Sequence, residues 1–158
     1  MTIYGVSFDL VGKQPIVLLK TSEGNRFLPI WIGHPEAAAI LARLRGEETP
    51  RPMTHDLFAS VLGGLEAEVV QIAVTALREN TFYATITLRR NGRTLEIDAR
   101  PSDALALAVR LDSPIFAADD VISSSSIEMD DEPVDPEDQI KAFKEFLDEV
   151  RPEDFGSA

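Results

Sequence analysis

The chain has no cysteine, two histidines and one tryptophan among its 158 residues. Without cysteine there is no disulfide framework and no thiolate metal centre. Two histidines are too few for a histidine-rich metal site. No apolar run approaches the roughly 20 residues that a membrane-spanning helix needs. The first residues, Met1-Thr2-Ile3-Tyr4-Gly5, lack the basic stretch and apolar core of a secretory signal. A cytoplasmic protein is expected. No glycine-rich phosphate loop of either common kind is present, and no serine or cysteine sits in a nucleophile motif. ATP-driven and covalent mechanisms are therefore set aside. Positive charge is also short: 15 Lys and Arg face 27 Asp and Glu, a formal net of −12. A broad basic face for long duplex nucleic acid is excluded, because phosphate contacts need basic surface.

The acidity is uneven. Residues 119–158 hold 14 acids and 3 bases, whereas residues 1–118 hold 13 acids and 12 bases. The body is thus close to neutral, and ten of its twelve bases are arginines. Arginine grips phosphate or carboxylate through two parallel hydrogen bonds. A local anion pocket remains compatible with this charge; a short or single-stranded nucleic acid fits it better than a long duplex.

Periodicity and turn chemistry divide the chain. Residues 3–11, 16–20 and 26–31 read as three strands of a meander, with Tyr4, Val6, Phe8 and Leu10 expected on one side of the first. Gly33-His34-Pro35 opens a helix running to Arg45. A second helix, 54–65, carries Leu57, Val61, Leu62 and Leu65 on its expected core stripe. Three more strands follow: 66–77 with Val70, Ile72 and Val74 inward, 81–90, and 93–99. The last two are joined by Asn91-Gly92, the strongest hairpin signal in the chain. Residues 101–111, dense in alanine and leucine, read as a buried helix. Residues 114–117 are extended, and 119–127 are open between a helical turn and a loop. Seven acids and two prolines make 128–138 a linker. Residues 139–150 form an amphipathic helix whose stripe is Ile140, Phe143, Phe146, Leu147 and Val150. The expected architecture is α+β: mostly antiparallel sheet in two strand-rich halves, packed with about three helices, plus the C-terminal amphipathic helix. The expected division is a domain over 1–127 and an acidic linker with helix and tail over 128–158. Trp31, Tyr83 and the terminal stripe suggest a homodimer.

Two segments carry the chemistry, Arg51-Pro52-Met53-Thr54-His55-Asp56-Leu57 and Ile97-Asp98-Ala99-Arg100-Pro101-Ser102-Asp103-Ala104. Each has an Arg-Pro step, a hydroxyl residue and an acid, then an apolar run. Both read as loops entering helix N-termini, where the dipole favours an acid. With Leu28-Pro29-Ile30-Trp31-Ile32-Gly33, Asn80-Thr81-Phe82-Tyr83-Ala84 and Pro114-Ile115-Phe116, in this order, the chain resembles the bifunctional nuclease domain family over about residues 3–127. The resemblance implies an α+β domain and activity on both RNA and DNA. It carries no assignment of catalytic residues, so roles must come from the side chains.

On that basis His55 is a candidate general base, against the plainer role of a capping residue. Asp56, Asp98 and Asp103 are candidate catalytic carboxylates. Together they could hold Mg²⁺ or Mn²⁺ for phosphodiester hydrolysis, although dipole stabilisation and surface pairing explain each one alone. Arg51 and Arg100 precede prolines that extend them, and are candidates for a substrate phosphate unless they only brace Asp56 and Asp103. His34, Trp31 and Glu36 read as structural. Arg89, Arg90 and Arg93 form a small basic knob at the hairpin tip, read chiefly as solvated charge. The leading expectation is a metal-assisted, nuclease-like phosphodiester hydrolase. The rival is a non-enzymatic binding or regulatory protein whose Arg/His/Asp cluster is structural or holds a small anion, and whose acidic tail recruits a basic partner.

Overall fold

Asn91 and Gly92 both have positive φ, 50° and 73°, the turn geometry whose twist matches two paired strands. In the computed structural model, which describes residues 1–8 and 14–128, they join two strands in unbroken register from Arg90 opposite Arg93 to Ala84 opposite Ala99. Glu79 and Asn80 (φ 48° and 59°) make a second two-residue turn, between Arg78 and Thr81.

The element order is β1 Thr2–Phe8, β2 Pro15–Lys20, β3 Arg26–Trp31, α1 His34–Leu44, α2 Thr54–Gly64, β4 Glu68–Arg78, β5 Thr81–Arg90, β6 Arg93–Ala99, α3 Pro101–Leu111, β7 Ile115–Ala117, α4 Asp119–Ser125 and β8 Ile127–Glu128. The fold is α+β. Two four-stranded sheets run β1-β2-β3-β8 and β6-β5-β4-β7, antiparallel except for the parallel β4–β7 pair. The segment 119–127, open in the sequence, resolves into α4 followed by β8. The anticipated helix over 139–150 lies outside the described residues.

Helix α3 occupies the centre. Its residues from Ala104 to Ala108 are all at most 2% exposed. They pack in one cluster with Val17, Leu19, Leu28 and Ile30 of the first sheet and with Ile72, Val74, Ala84 and Ile86 of the second. Fully burying a Leu or Ile contributes about 1.5–3 kcal/mol, so this cluster dominates stability. Helices α1 and α3 lie side by side and run the same way. Arg100 reaches Glu36 at one end, and Arg43 Nε donates to the Val109 carbonyl at the other. Ala37, Ala104 and Ala108 are buried there, and their small side chains permit the close approach.

Three local readings shift, each for a physical reason. A bulge between Ile3 and Gly5 breaks the expected alternation of β1. Ile3 and Val6 pack on the main core, while Tyr4 sits edge-on to Phe27 at 5.1 Å. A register shift between Val69 and Gln71 turns Val69 into the core in place of Val70. On α2, Leu62 is buried, but Leu57, Val61 and Leu65 of the same expected stripe are exposed. The helix instead turns Ala59 and Leu62 to the body.

Candidate active site

Helices α1, α2 and α3 share one feature at their starts: the third residue after the cap is an acid, Glu36, Asp56 and Asp103 respectively. An acid there can reach back to the free amides of the first turn. Asp56 does so, accepting from the Met53 amide at 2.9 Å. Glu36 folds back over its cap residue so closely that a Cβ on Gly33 would lie 2.2 Å from Glu36 Oε2. A side chain at position 33 would have to move the Glu36 carboxylate aside, and with it the partner of Arg100.

The fold brings the three N-termini together. His55 Nε2 lies 3.0 Å from Asp103 Oδ1. Arg100 Nε donates to Asp103 Oδ2 at 2.8 Å, and Arg100 Nη2 donates to Glu36 Oε1 at 2.7 Å and to Asp103 Oδ1 at 3.2 Å. The side chains of His55 and Glu36 are each 14% exposed, whereas Arg100 is 65% exposed. The network therefore has a buried base-and-acid end and a cation at its mouth. With Nε2 directed at a carboxylate, the imidazole carries its proton there and leaves Nδ1 as the acceptor.

Asp56 belongs to a second, neighbouring contact. Arg110 Nε donates to Asp56 Oδ1 at 2.6 Å, and Arg110 Nη1 donates to the carbonyls of Ala39 and Ala106. Arg110 is 7% exposed, so one guanidinium ties α1, α2 and α3 together from inside. The hydrogen bond from Arg110, helped by the Met53 amide, holds the Asp56 carboxyl below the usual range. Burial pushes Asp103 upward, but the hydrogen bonds from Arg100 and His55 outweigh it and leave that carboxyl lowered as well. A lowered folded pKa means stability that is present above about pH 4, the unfolded carboxylate value, and is lost as pH falls below it. Each carboxylate is about one-third exposed, so solvent screening keeps the contribution near 1 kcal/mol apiece. Asp56→Asn and Asp103→Asn should therefore lose stability at pH 7 and flatten the fall in unfolding midpoint between pH 5 and pH 3, measured by urea titration at each pH.

The residues singled out by sequence divide accordingly. His55, Asp103 and Arg100 meet. Asp56 lies beside them, spent on Arg110. Asp98 pairs across the strand with Thr85, between Ala84–Ala99 and Ile86–Ile97 pairs whose β5 members are buried. Alternation along a strand sends Asp98 to the opposite face of the sheet from Asp103. Arg51 is exposed in the loop before α2; its carbonyl accepts from Thr49, and its side chain makes no ion pair among the described residues. Both oxygens of Asp56 and of Asp103 already accept from protein donors. Among the described residues no three His, Asp or Glu side chains are arranged to hold a metal ion. The three aspartates do not fit Mg²⁺ or Mn²⁺ as a shared centre. Sequence reasoning underrated Glu36 and missed Arg110, although Arg110 is the one charge in the apolar run from Ala104 to Leu111.

Beside the network a cavity of about 340 Å³ is lined by Trp31, Gly33, Asn80, Phe82, Arg100 and Ser102, among others. Arg100 is common to both, so whatever enters the cavity meets the guanidinium that holds Asp103.

Comparison with known proteins identifies relatives of the chain by sequence. An uncharacterised protein of Mycobacterium tuberculosis is 38% identical over 159 residues, covering 97% of this chain and 95% of its own length. Bifunctional nuclease 1 of Oryza sativa subsp. japonica is 27% identical over 110 residues, covering 68% of this chain and 33% of the plant protein. Bifunctional nuclease 1 of Arabidopsis thaliana is 28% identical over 106 residues, again 33% of its length. The family model described as the bifunctional nuclease domain matches residues 17–130, a span that includes His55, Arg100 and Asp103, and the chain belongs to the bifunctional nuclease domain family.

Proposed function

We propose that this protein is a nuclease-like phosphodiester hydrolase in which His55 is the general base, Asp103 orients it, and Arg100 receives the scissile phosphate. One observation carries the reading: the 3.0 Å contact of His55 Nε2 with Asp103 Oδ1, whose carboxylate also holds Arg100, a residue that lines the neighbouring cavity. His55 Nδ1 takes a proton from water as the water oxygen attacks phosphorus. The bond from phosphorus to the departing oxygen breaks, and that oxygen takes a proton from solvent. Arg100 offsets charge on the phosphoryl oxygens. Trp31 and Phe82 line the cavity, where an aromatic ring can stack on an unpaired base, and with a body near charge neutrality this favours single-stranded DNA or RNA over duplex.

The test is a side-by-side assay of purified protein on single-stranded DNA, duplex DNA and RNA, with and without Mg²⁺ or Mn²⁺. Faster cleavage of single strands is the expected result; no cleavage of any substrate under any of these conditions defeats the reading. A second reading has its own support. Asp56 and Asp103 both spend their two oxygens on protein donors, which is what a network that only braces three helices looks like. In that case the cavity binds a small anion without chemistry, and substitutions at His55 alter stability alone.

A further inference from the structure

Helix α2 and strand β6 leave a large apolar surface in solvent. Leu57 (57%), Phe58, Val61 and Leu65 on α2, and Leu95 (51%) and Ile97 on β6, are all more than 40% exposed. Their positions in the fold bring the two sets near one another. Leu95 lies opposite Leu88 and Ile97 opposite Ile86, on the sheet face that carries the helices. Two hydrogen bonds bring α2 close to the ends of that strand, from His55 to Asp103 of α3, just past the end of β6, and from Arg90 Nε of β5, opposite Arg93, to the Leu65 carbonyl. Among the described residues strand β6 is also an edge, hydrogen-bonded to β5 alone, with every residue but Ala99 exposed. Its sequence, RTLEIDA, contains no proline, and its charges Arg93, Glu96 and Asp98 are of both signs, so they restrict the register of a second strand without excluding one.

We propose that a second copy of this chain docks here, with β6 antiparallel to the partner's β6 across a two-fold axis. The sheet then continues through both copies, and the two α2 helices close over the joined strands. Six half-exposed side chains supply on the order of 500 Å² of apolar surface per copy, and strand pairing adds the rest of the ~800 Å² per partner that a stable interface buries. Charge sets the register. An axis at Glu96 places two carboxylates face to face, which is unfavourable. An axis at Leu95 sets Leu95 against its copy and Thr94 opposite the Glu96 position instead. This proposal is independent of any reading of the His55 site.

The absence of cysteine makes a direct test available in the full chain. In an antiparallel pair, residues on the axis have Cα atoms about 4.5–5.5 Å apart, within disulfide range. Leu95→Cys should oxidise to a covalent dimer, whereas Glu23→Cys, on the exposed turn between β2 and β3, should not. Light scattering at micromolar concentration should give twice the single-chain mass for wild type. Ile97→Lys should halve it while keeping the wild-type circular dichroism. If Ile97→Lys misfolds, Leu57→Lys on the exposed side of α2 serves the same purpose. A single-chain mass for wild type overturns the proposal, as does cross-linking of Leu95→Cys no faster than Glu23→Cys. A monomer whose β6 amides exchange slowly assigns this face to residues 129–158 and overturns it equally.

Discussion

Arg110→Ala should lower folding stability by about 3 kcal/mol, the cost of removing one partner from a largely buried ion pair. The guanidinium is 7% exposed and holds Asp56 Oδ1 at 2.6 Å, together with the carbonyls of Ala39 and Ala106. Its removal strands a carboxylate and takes the second donor from two helix carbonyls, which keep their backbone amides. Because Asp56 is one-third exposed, water relieves part of the loss, which places the effect at the low end for buried pairs. Arg110→Lys should recover less than half, since an ammonium cannot present the planar fork that serves all three acceptors. Urea titrations should show a lower midpoint with an unchanged slope. A shift below about 0.5 kcal/mol, the size of an ordinary surface change, would show that the three helices are held by their apolar contacts alone.

His55→Gln should reduce phosphodiester cleavage by about 10²–10⁴-fold, the range for loss of a general base. Glutamine can still donate to Asp103 Oδ1, so the helix contact is kept and stability should move by less than about 1 kcal/mol. Only proton acceptance is lost. Asp103→Asn should also slow cleavage, because it frees the imidazole and weakens the grip on Arg100, but it should cost stability as well. The separation of the two effects at His55 distinguishes a catalytic network from a bracing one.

Local chemistry made much of the fold legible. Asn91-Gly92 can only be a tight turn between strands, and Pro101 at a helix start followed by alanine and leucine can only be a buried helix. The bulges after Ile3 and Val69 could not be read, because an extra residue in a strand is decided by its partner across the sheet. The face of α2 was ambiguous for a different reason. Leu57, Val61, Leu62 and Leu65 all satisfy helical spacing, and which of them meets the core depends on how α2 crosses α3. Within the site, the meeting of His55, Arg100 and Asp103 follows from two similar Arg-Pro segments leading into adjacent helices. The place of Asp98 was readable from strand alternation against Ile97, and alternation separates it from Asp103. Glu36 carried a signal, an acid in the first turn like Asp56 and Asp103, that was read only as dipole stabilisation.

The most direct measurement is the rate of hydrolysis of a fluorescent single-stranded oligonucleotide by wild type, His55→Gln and Asp98→Ala under one set of conditions. The account predicts a loss of at least about 10²-fold for His55→Gln and a rate near wild type for Asp98→Ala, which alters the far face of the sheet. Equal rates for wild type and His55→Gln, or a rate abolished only by Asp98→Ala, would contradict it.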